Sequence, residues 1–350
     1  MNKIERITAA IQHRPVDKVP KGELGISDEL MQELTGKKEI TPDVRIEAAN
    51  ALNMDMINRW CAGTKETVLS TEENGNLITV DLWGSVRRRT AYNDEIIETA
   101  IKDVEDTDKL VFPEMSAYDE SVEEIHYYVN NSDLFVMAQT EGVLTPMSWL
   151  YGFEDFMMNS CTDPDILKKF AFDLADHYAG LAARLIDAGA HGILIGDDIA
   201  YNTGTFISPQ SMREIIFPAL KREVEAIKRY KDIPVFFHTD GDLRAVMDDI
   251  VGCGFDGLQS LQPTANMDLR SIKENYGDKL CLMGNIDINE LLPFGTVEEV
   301  KKAVRETIDI GIKGSGFILS TCNILTRDIP IENARAMYET AENYVIEHDE

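Results

Sequence analysis

A chain of 350 residues holds either two average domains or one large α/β barrel. With 34 Lys plus Arg against 62 Asp plus Glu its net charge is −28, which makes nucleic acid a poor partner. Hydrophobic residues at 44% and charged ones at 27% lie in the globular range and exclude a disordered chain.

No apolar run approaches the ~20 residues that cross a bilayer, and the opening Met1-Asn2-Lys3-Ile4-Glu5-Arg6 lacks the apolar segment of a secretion signal. The expectation is a cytoplasmic protein away from membranes. In chain order, short β-rich apolar segments alternate with stretches of helical periodicity, the signature of a parallel α/β sheet. Candidate strands cover 19–25, 54–60, 134–140, 192–196, 234–238, 257–261, 280–284 and 316–320, eight in all, as a closed (β/α)8 TIM barrel requires. Asn74-Gly75-Asn76 joins two β-prone runs and predicts a hairpin inserted after the second strand, over 67–90. A helix over 163–188 opens with Thr162-Asp163-Pro164 and closes before Gly189. Ser208-Pro209 opens another running to Tyr230, Thr296-Val297-Glu298-Glu299 is a capping box for one ending at Gly311, and Pro330 starts the last. No repeat, low-complexity tract or Pro/Ser-rich linker divides the chain, which reads as one domain over 1–350.

A barrel carries its chemistry in the loops that follow its strands. The strand ends here supply Glu23, Arg59, Glu141, Asp197, Asp198, His238, Asp240, Gln259, Asn285, Asp287 and Cys322. One imidazole, one thiol and several carboxylates converging from separate strands make a metal-ligand set. Glu141 and Asp198 could equally cap the helices that follow. A histidine leaving a core is structural as often as functional, and neighbouring Asp240 tilts His238 toward function. Five cysteines without a CxxC pair argue against a disulfide framework. Cys322 stands past a strand, where a core thiol is less natural than at Cys161 or Cys253. Arg87-Arg88-Arg89 is expected on a solvated hairpin face, and the glycines over 311–316 are expected to end a helix and start a strand.

Taken together, several segments resemble the uroporphyrinogen decarboxylase superfamily, which also contains zinc-dependent methyltransferases that work with corrinoid proteins. They are Arg14-Pro15-Val16-Asp17-Lys18-Val19-Pro20, Asp81-Leu82-Trp83-Gly84, Thr140-Glu141-Gly142, Gly196-Asp197-Asp198-Ile199-Ala200 with Ser208-Pro209, His238-Thr239-Asp240-Gly241, and Ser320-Thr321-Cys322-Asn323-Ile324 with Pro330-Ile331-Glu332-Asn333. The decarboxylase substrate is a tetrapyrrole rich in carboxylates and needs clustered arginines, which the family brings on its first strand. Here that stretch is Val19-Pro20-Lys21-Gly22-Glu23-Leu24-Gly25, without an arginine. The methyltransferase branch looks the better match. The resemblance implies zinc bound by His238, Cys322 and Glu141, with Asp240 standing where that branch has its first zinc cysteine. A carboxylate in place of a thiolate leaves a harder Lewis acid, suited to polarising an oxygen.

The resulting expectation is a corrinoid-dependent methyltransferase that moves a methyl group from a small methylated substrate to a corrinoid protein. The substrate is expected to be an O-methyl compound such as a methoxylated aromatic. Zinc would sit on His238, Asp240, Cys322 and Glu141. Glu141, Asp198 and His238 are the expected catalytic residues, and Glu23, Asp197, Tyr201, Gln259 and Asn285 the expected substrate contacts. The corrinoid would arrive on a partner protein at the barrel mouth, and homodimerisation is left open. Two alternatives stand beside this one: a decarboxylase-like lyase using an acid of the Asp197-Asp198 pair, and a non-catalytic binding relative in which Asp240 marks a lost metal site.

Overall fold

A computed structural model of the chain describes residues 1–61, 66–90 and 94–346; the rest of the expected 1–350 domain lies outside the described residues. Its strands are β1 (Met56–Trp60), β2 (Thr67–Thr71), β3 (Leu77–Val80), β4 (Val86–Arg89), β5 (Asp94–Glu98), β6 (Phe135–Glu141), β7 (Gly192–Gly196), β8 (Ala200–Tyr201), β9 (Gly204–Thr205), β10 (Val235–Thr239), β11 (Gly257–Ser260), β12 (Cys281–Ile286) and β13 (Phe317–Thr321). Seven of them form one parallel sheet in the order β1-β6-β7-β10-β11-β12-β13.

The eighth expected strand, 19–25, forms only isolated bridges, Lys21 with Leu319 and Ile26 with Leu325. Pro20 has no N–H for a ladder, and Gly22 and Gly25 add no side chain to pack. The segment nevertheless joins the two edges of the sheet. Leu319 N donates to Pro20 O at 2.8 Å and Gly22 N to Leu319 O at 3.0 Å on the β13 side, while Asp55 N, just before β1, donates to Lys21 O at 2.8 Å. The sheet thereby closes into a TIM-like barrel.

Buried charges hold this seam. Asp55 Oδ1 accepts from Arg6 Nη1 at 2.5 Å, and its Oδ2 accepts from Lys21 N at 2.9 Å and lies 3.5 Å from the Lys21 ammonium. Arg6 comes from the first helix, Lys3–Ile11, which also supplies Ile7, Ala9 and Ala10 to a small inner core with Met56, Phe135, Met137, Leu194, Phe236, Cys281, Met283 and Ile318. Side chains alternate along a strand, so the neighbouring positions Ile57, Val136, Ala138, Ile193, Ile195, Val235, Phe237, Leu282 and Leu319 face outward into the larger core beneath the helices.

The helix starts follow their caps. Thr296 and Glu299 form the expected capping box for Val297–Gly311, Pro164–Asp187 opens on its proline, and Pro330 precedes Ile331–Glu342. The helix opened by Ser208 is interrupted by a π turn over Met212–Ile216 before Phe217–Tyr230. Pro218 explains the interruption, since it cannot donate to the carbonyl four residues back.

The region expected as one hairpin is instead part of a four-stranded antiparallel sheet, β2-β3-β4-β5, which extends to Glu98. Its arginines are also not freely solvated. Arg87 pairs with Asp81 at 2.9 Å, Arg88 with Glu72 at 3.1 Å and Arg89 with Glu66 at 2.8 Å. Among the described residues no helix is long and apolar enough to cross a membrane, and all five cysteines are free thiols.

Removing Asp55 leaves two buried cations facing each other across the seam. Asp55→Ala is expected to cost on the order of 3 kcal/mol in urea unfolding. The control Asp119→Ala breaks the exposed pair with Arg184 and should cost less than about 1 kcal/mol. Equal effects would show that the seam does not depend on Asp55.

Candidate active site

Near the N-terminal ends of the strands the barrel interior is apolar, and toward their C-terminal ends the inward positions turn polar. Two residues after Met137 and Phe236 on the same faces come Gln139 and His238, and beyond Gln139 comes Glu141. Gln259 stands opposite His238 in the β10–β11 register. Its amide oxygen accepts from His238 Nδ1, and its nitrogen donates to Thr321 O at 3.1 Å. A carbonyl partner requires a proton on Nδ1, which leaves Nε2 to face the cluster, 3.9 Å from Asp198 Oδ1.

Asp240 is fixed at both oxygens. Ser260 Oγ donates to Oδ1 at 2.5 Å and Asn323 Nδ2 to Oδ2 at 2.5 Å, while the Asp240 N–H donates to Asp198 Oδ1 at 3.3 Å. The next residue must be glycine: Gly241 has φ 94°, and a Cβ there would stand 2.6 Å from the carbonyl carbon of Ala200. One ligand atom from each of Asp198, His238 and Asp240 lies within 4.8 Å of the other two. One imidazole nitrogen with two carboxylate oxygens is a donor set suited to zinc or a harder divalent cation, and the hydrogen bond from His238 Nδ1 is the support that metal-ligating histidines use.

The other two expected ligands stand outside this group of three. The buried Cys322 thiol is pushed up to about 12 by burial, with the charges of Asp240, Asp287 and Glu23 adding to the effect. Glu141 accepts a hydrogen bond from the Trp60 indole, and burial pushes its carboxyl up to about 8, with Asp197 and Asp198 repelling its charged form.

Most of the expected substrate contacts are occupied by the protein's own groups. Asp197 accepts from Val143 N at 2.9 Å, Leu144 N at 3.0 Å and Thr145 N at 2.6 Å, so it, and not Glu141, caps the helix Leu144–Tyr151, while Ser208, and not Asp198, caps the helix after β9. Gly142 permits that approach, because a Cβ there would meet Asp197 at 2.6 Å. Glu23 accepts from Ser320 Oγ at 3.0 Å, Thr321 Oγ1 at 2.7 Å and the Tyr338 hydroxyl at 2.7 Å, and burial still raises it to about 7. Asn285 ties two loops by donating to Leu261 O at 2.7 Å and Met267 O at 3.2 Å. Of the five, Tyr201 alone is exposed, its ring stacked on Phe206. Arg59 is paired with Glu124 at 2.7 Å, and Asp287 caps a turn through Glu290 N and Leu291 N.

A barrel with a cluster of metal-ligating side chains at the C-terminal ends of its strands defines the class. Within that class the chain belongs to the uroporphyrinogen decarboxylase (URO-D) family, whose model matches residues 91–344. It is 25% identical over 213 residues to a methylcobamide:CoM methyltransferase of Methanosarcina barkeri, a match covering 61% of this chain and 59% of that protein. It is 27% identical over 147 residues to a uroporphyrinogen decarboxylase of Chlorobaculum tepidum, covering 42% and 39% respectively. The chain therefore spans well under two thirds of the length of these curated relatives. A solved structure of a methyltransferase from Methanosarcina mazei superposes with a TM-score of 0.72 at 23% identity, covering 97% of this chain and 98% of that one, and so shares the fold.

Sequence reasoning misses three residues of this region. Asn323 lies inside a quoted motif, but its partner Asp240 is 83 positions away. Ser260 reaches Asp240 only because β10 and β11 pair Thr239 with Ser260. Glu223, on the helix Phe217–Tyr230, looks like an ordinary surface acid in sequence, yet it is fully buried and neither of its oxygens has a hydrogen-bond partner. Burial, with the charges of Asp197 and Glu141 facing it, holds its carboxyl well above the ordinary 4.5. The folded protein keeps this proton where the unfolded chain releases it, so stability falls as pH rises above about 4.5. Glu223→Met removes that slope. Its thermal midpoint should exceed that of the wild type at pH 8, with the difference shrinking toward pH 4.5; a difference independent of pH would contradict the assignment.

Proposed function

We propose that the chain is a corrinoid-dependent methyltransferase that moves a methyl group from a small O-methyl substrate to a corrinoid protein. The observation that carries this reading is the convergence of Asp198, His238 and Asp240, with the His238 tautomer fixed by Gln259. Family membership and the methyltransferases among its relatives support the reaction class. Zinc is the proposed metal, held by His238 Nε2, Asp240 and Asp198, with Cys322 as a fourth donor; it would supply Lewis acidity toward the substrate oxygen.

The chain's own groups have separable tasks in this reading. Gln259 keeps Nε2 of His238 aimed at the cluster. Ser260 and Asn323 hold Asp240 at a fixed angle, so little conformational freedom is lost when the site is filled. Glu141 replaces its expected ligand role with that of proton donor: a carboxyl raised to about 8 is protonated at neutral pH and can pass its proton to the departing oxygen.

Two measurements test this. Elemental analysis of purified protein should find about one zinc per chain, reduced several-fold in His238→Ala and Asp198→Asn. Zinc content unchanged by either substitution would remove the cluster as the metal site. With a corrinoid protein reduced to cobalt(I) and an O-methyl donor, absorbance should report cobalt methylation. The rate should fall as pH rises and Glu141 loses its proton, a limb that a bound cation would move below about 8, and Glu141→Gln should be slower by on the order of 10²-fold without that limb. A Glu141→Gln enzyme that keeps the wild-type rate and pH profile would exclude Glu141 as the acid.

A further inference from the structure

All three tryptophans of the chain line one cavity of about 390 Å³ beside Glu141. Three elements build it. The barrel contributes Trp60 at the end of β1, the helix Leu144–Tyr151 contributes Trp149 and Leu150, and the turn between β3 and β4 contributes Leu82 and Trp83. Trp83 is held by edge contacts to Phe112 and His177, with centroids 5.4 and 5.3 Å away. Trp60 and Trp149, by contrast, remain 45% and 38% exposed. Leaving two indoles in water forgoes burial of the largest apolar side chains in the chain, a cost that a ligand in the cavity would offset.

The charges around the cavity select the ligand. Glu66, Asp81 and Asp94 outnumber Arg87 and Arg89, and Glu141 adds a carboxyl that is protonated at neutral pH. Both arginines are already engaged, Arg87 with Asp81 at 2.9 Å and Asp94 at 3.6 Å, Arg89 with Glu66 at 2.8 Å and Asp94 at 3.7 Å. Among the described residues of the lining, an anion would therefore find no unpaired cation and an excess of carboxylates. A quaternary ammonium is disfavoured for a different reason: the Arg87 guanidinium already lies over the Trp149 ring, 6.0 Å from its centroid, and would repel a second cation there. An uncharged flat ring meets neither penalty and gains indole contacts on several sides.

We propose that this cavity binds an uncharged aromatic ring. Naming that ring as the methyl donor rests on the methyl-transfer reading; the binding itself does not. The test is a titration followed by intrinsic tryptophan fluorescence, which in this protein reports on the cavity alone. 1,2-Dimethoxybenzene should quench it saturably, whereas 3,4-dimethoxybenzoate and tetramethylammonium should need at least about tenfold higher concentrations. Calorimetry with Trp149→Ala should show at least about tenfold weaker binding of the neutral ring, and Trp149→Phe should recover most of it. Equal binding of the anion or of tetramethylammonium, no saturable quenching by the neutral ring, or wild-type affinity in Trp149→Ala would each overturn the proposal. Binding without cobalt methylation would count against the methyl-transfer reading and leave this inference standing. Methylation from an aliphatic donor with no quenching by any ring would do the reverse.

Discussion

The buried carboxylate of Asp55 is the point on which this architecture closes. The segment around Lys21 is too irregular to hold its place by a strand ladder, since only scattered backbone bonds tie it to β13 and to the start of β1. Asp55 compensates by accepting from the Lys21 backbone and from Arg6, binding the seam and the helix plugging the lower end in one interaction. Its geometry determines more than stability. A parallel sheet has a defined interior only when it closes: the β10–β11 register sets His238 and Gln259 opposite one another, and closure makes their shared face an interior.

At the upper end the same parity produces a polar layer that must satisfy itself. Gln259 bridges His238 and Thr321, Glu23 collects hydroxyls from Ser320, Thr321 and Tyr338, and Asp197 collects three backbone N–H groups. With these groups engaged internally, His238 Nε2 and the Asp198 carboxylate face Asp240 as metal-ligand atoms, so a chain with many acids at its strand ends gathers its ligand atoms in one small cluster.

What the sequence revealed follows the range of the forces involved. Seven strands and the capping box at Thr296 were legible because β-branched runs and local cap hydrogen bonds are written within a few residues. The adjacent acids Asp197 and Asp198 were not separable in sequence, because which one caps the helix at Leu144 depends on a loop more than fifty positions away. The four-stranded sheet was read as a single hairpin because β4 is a run of arginines and β5 is mostly exposed, so neither carries the alternation that marks a half-buried strand. The acids that pair with this run lie in the turn that precedes it (Asp81), on β5 (Asp94 and Glu95) and at the two ends of β2 (Glu66 and Glu72). Asp55 and Glu223 carried no local signal at all, since their significance lies in burial, which is a property of the whole fold.

The distribution of charge through the barrel connects these observations. Lys21 and Arg6 sit with Asp55 at the lower end, so the buried cations are consumed in closing the ring. The upper end is left with Glu141, Asp197, Glu23 and Glu223, all buried and all raised by that burial, the first three to about 8, 6 and 7. Each would ionise more readily if positive charge were placed nearby, so the folded chain pays for its acidic mouth in stability as pH rises. A divalent cation at the Asp198–His238–Asp240 cluster would enter that negative field and bind the folded state alone, because the unfolded chain does not bring these residues together. Binding and folding are thereby coupled: the ionisation that weakens the fold as pH rises supplies the field that would draw a metal ion to the barrel mouth.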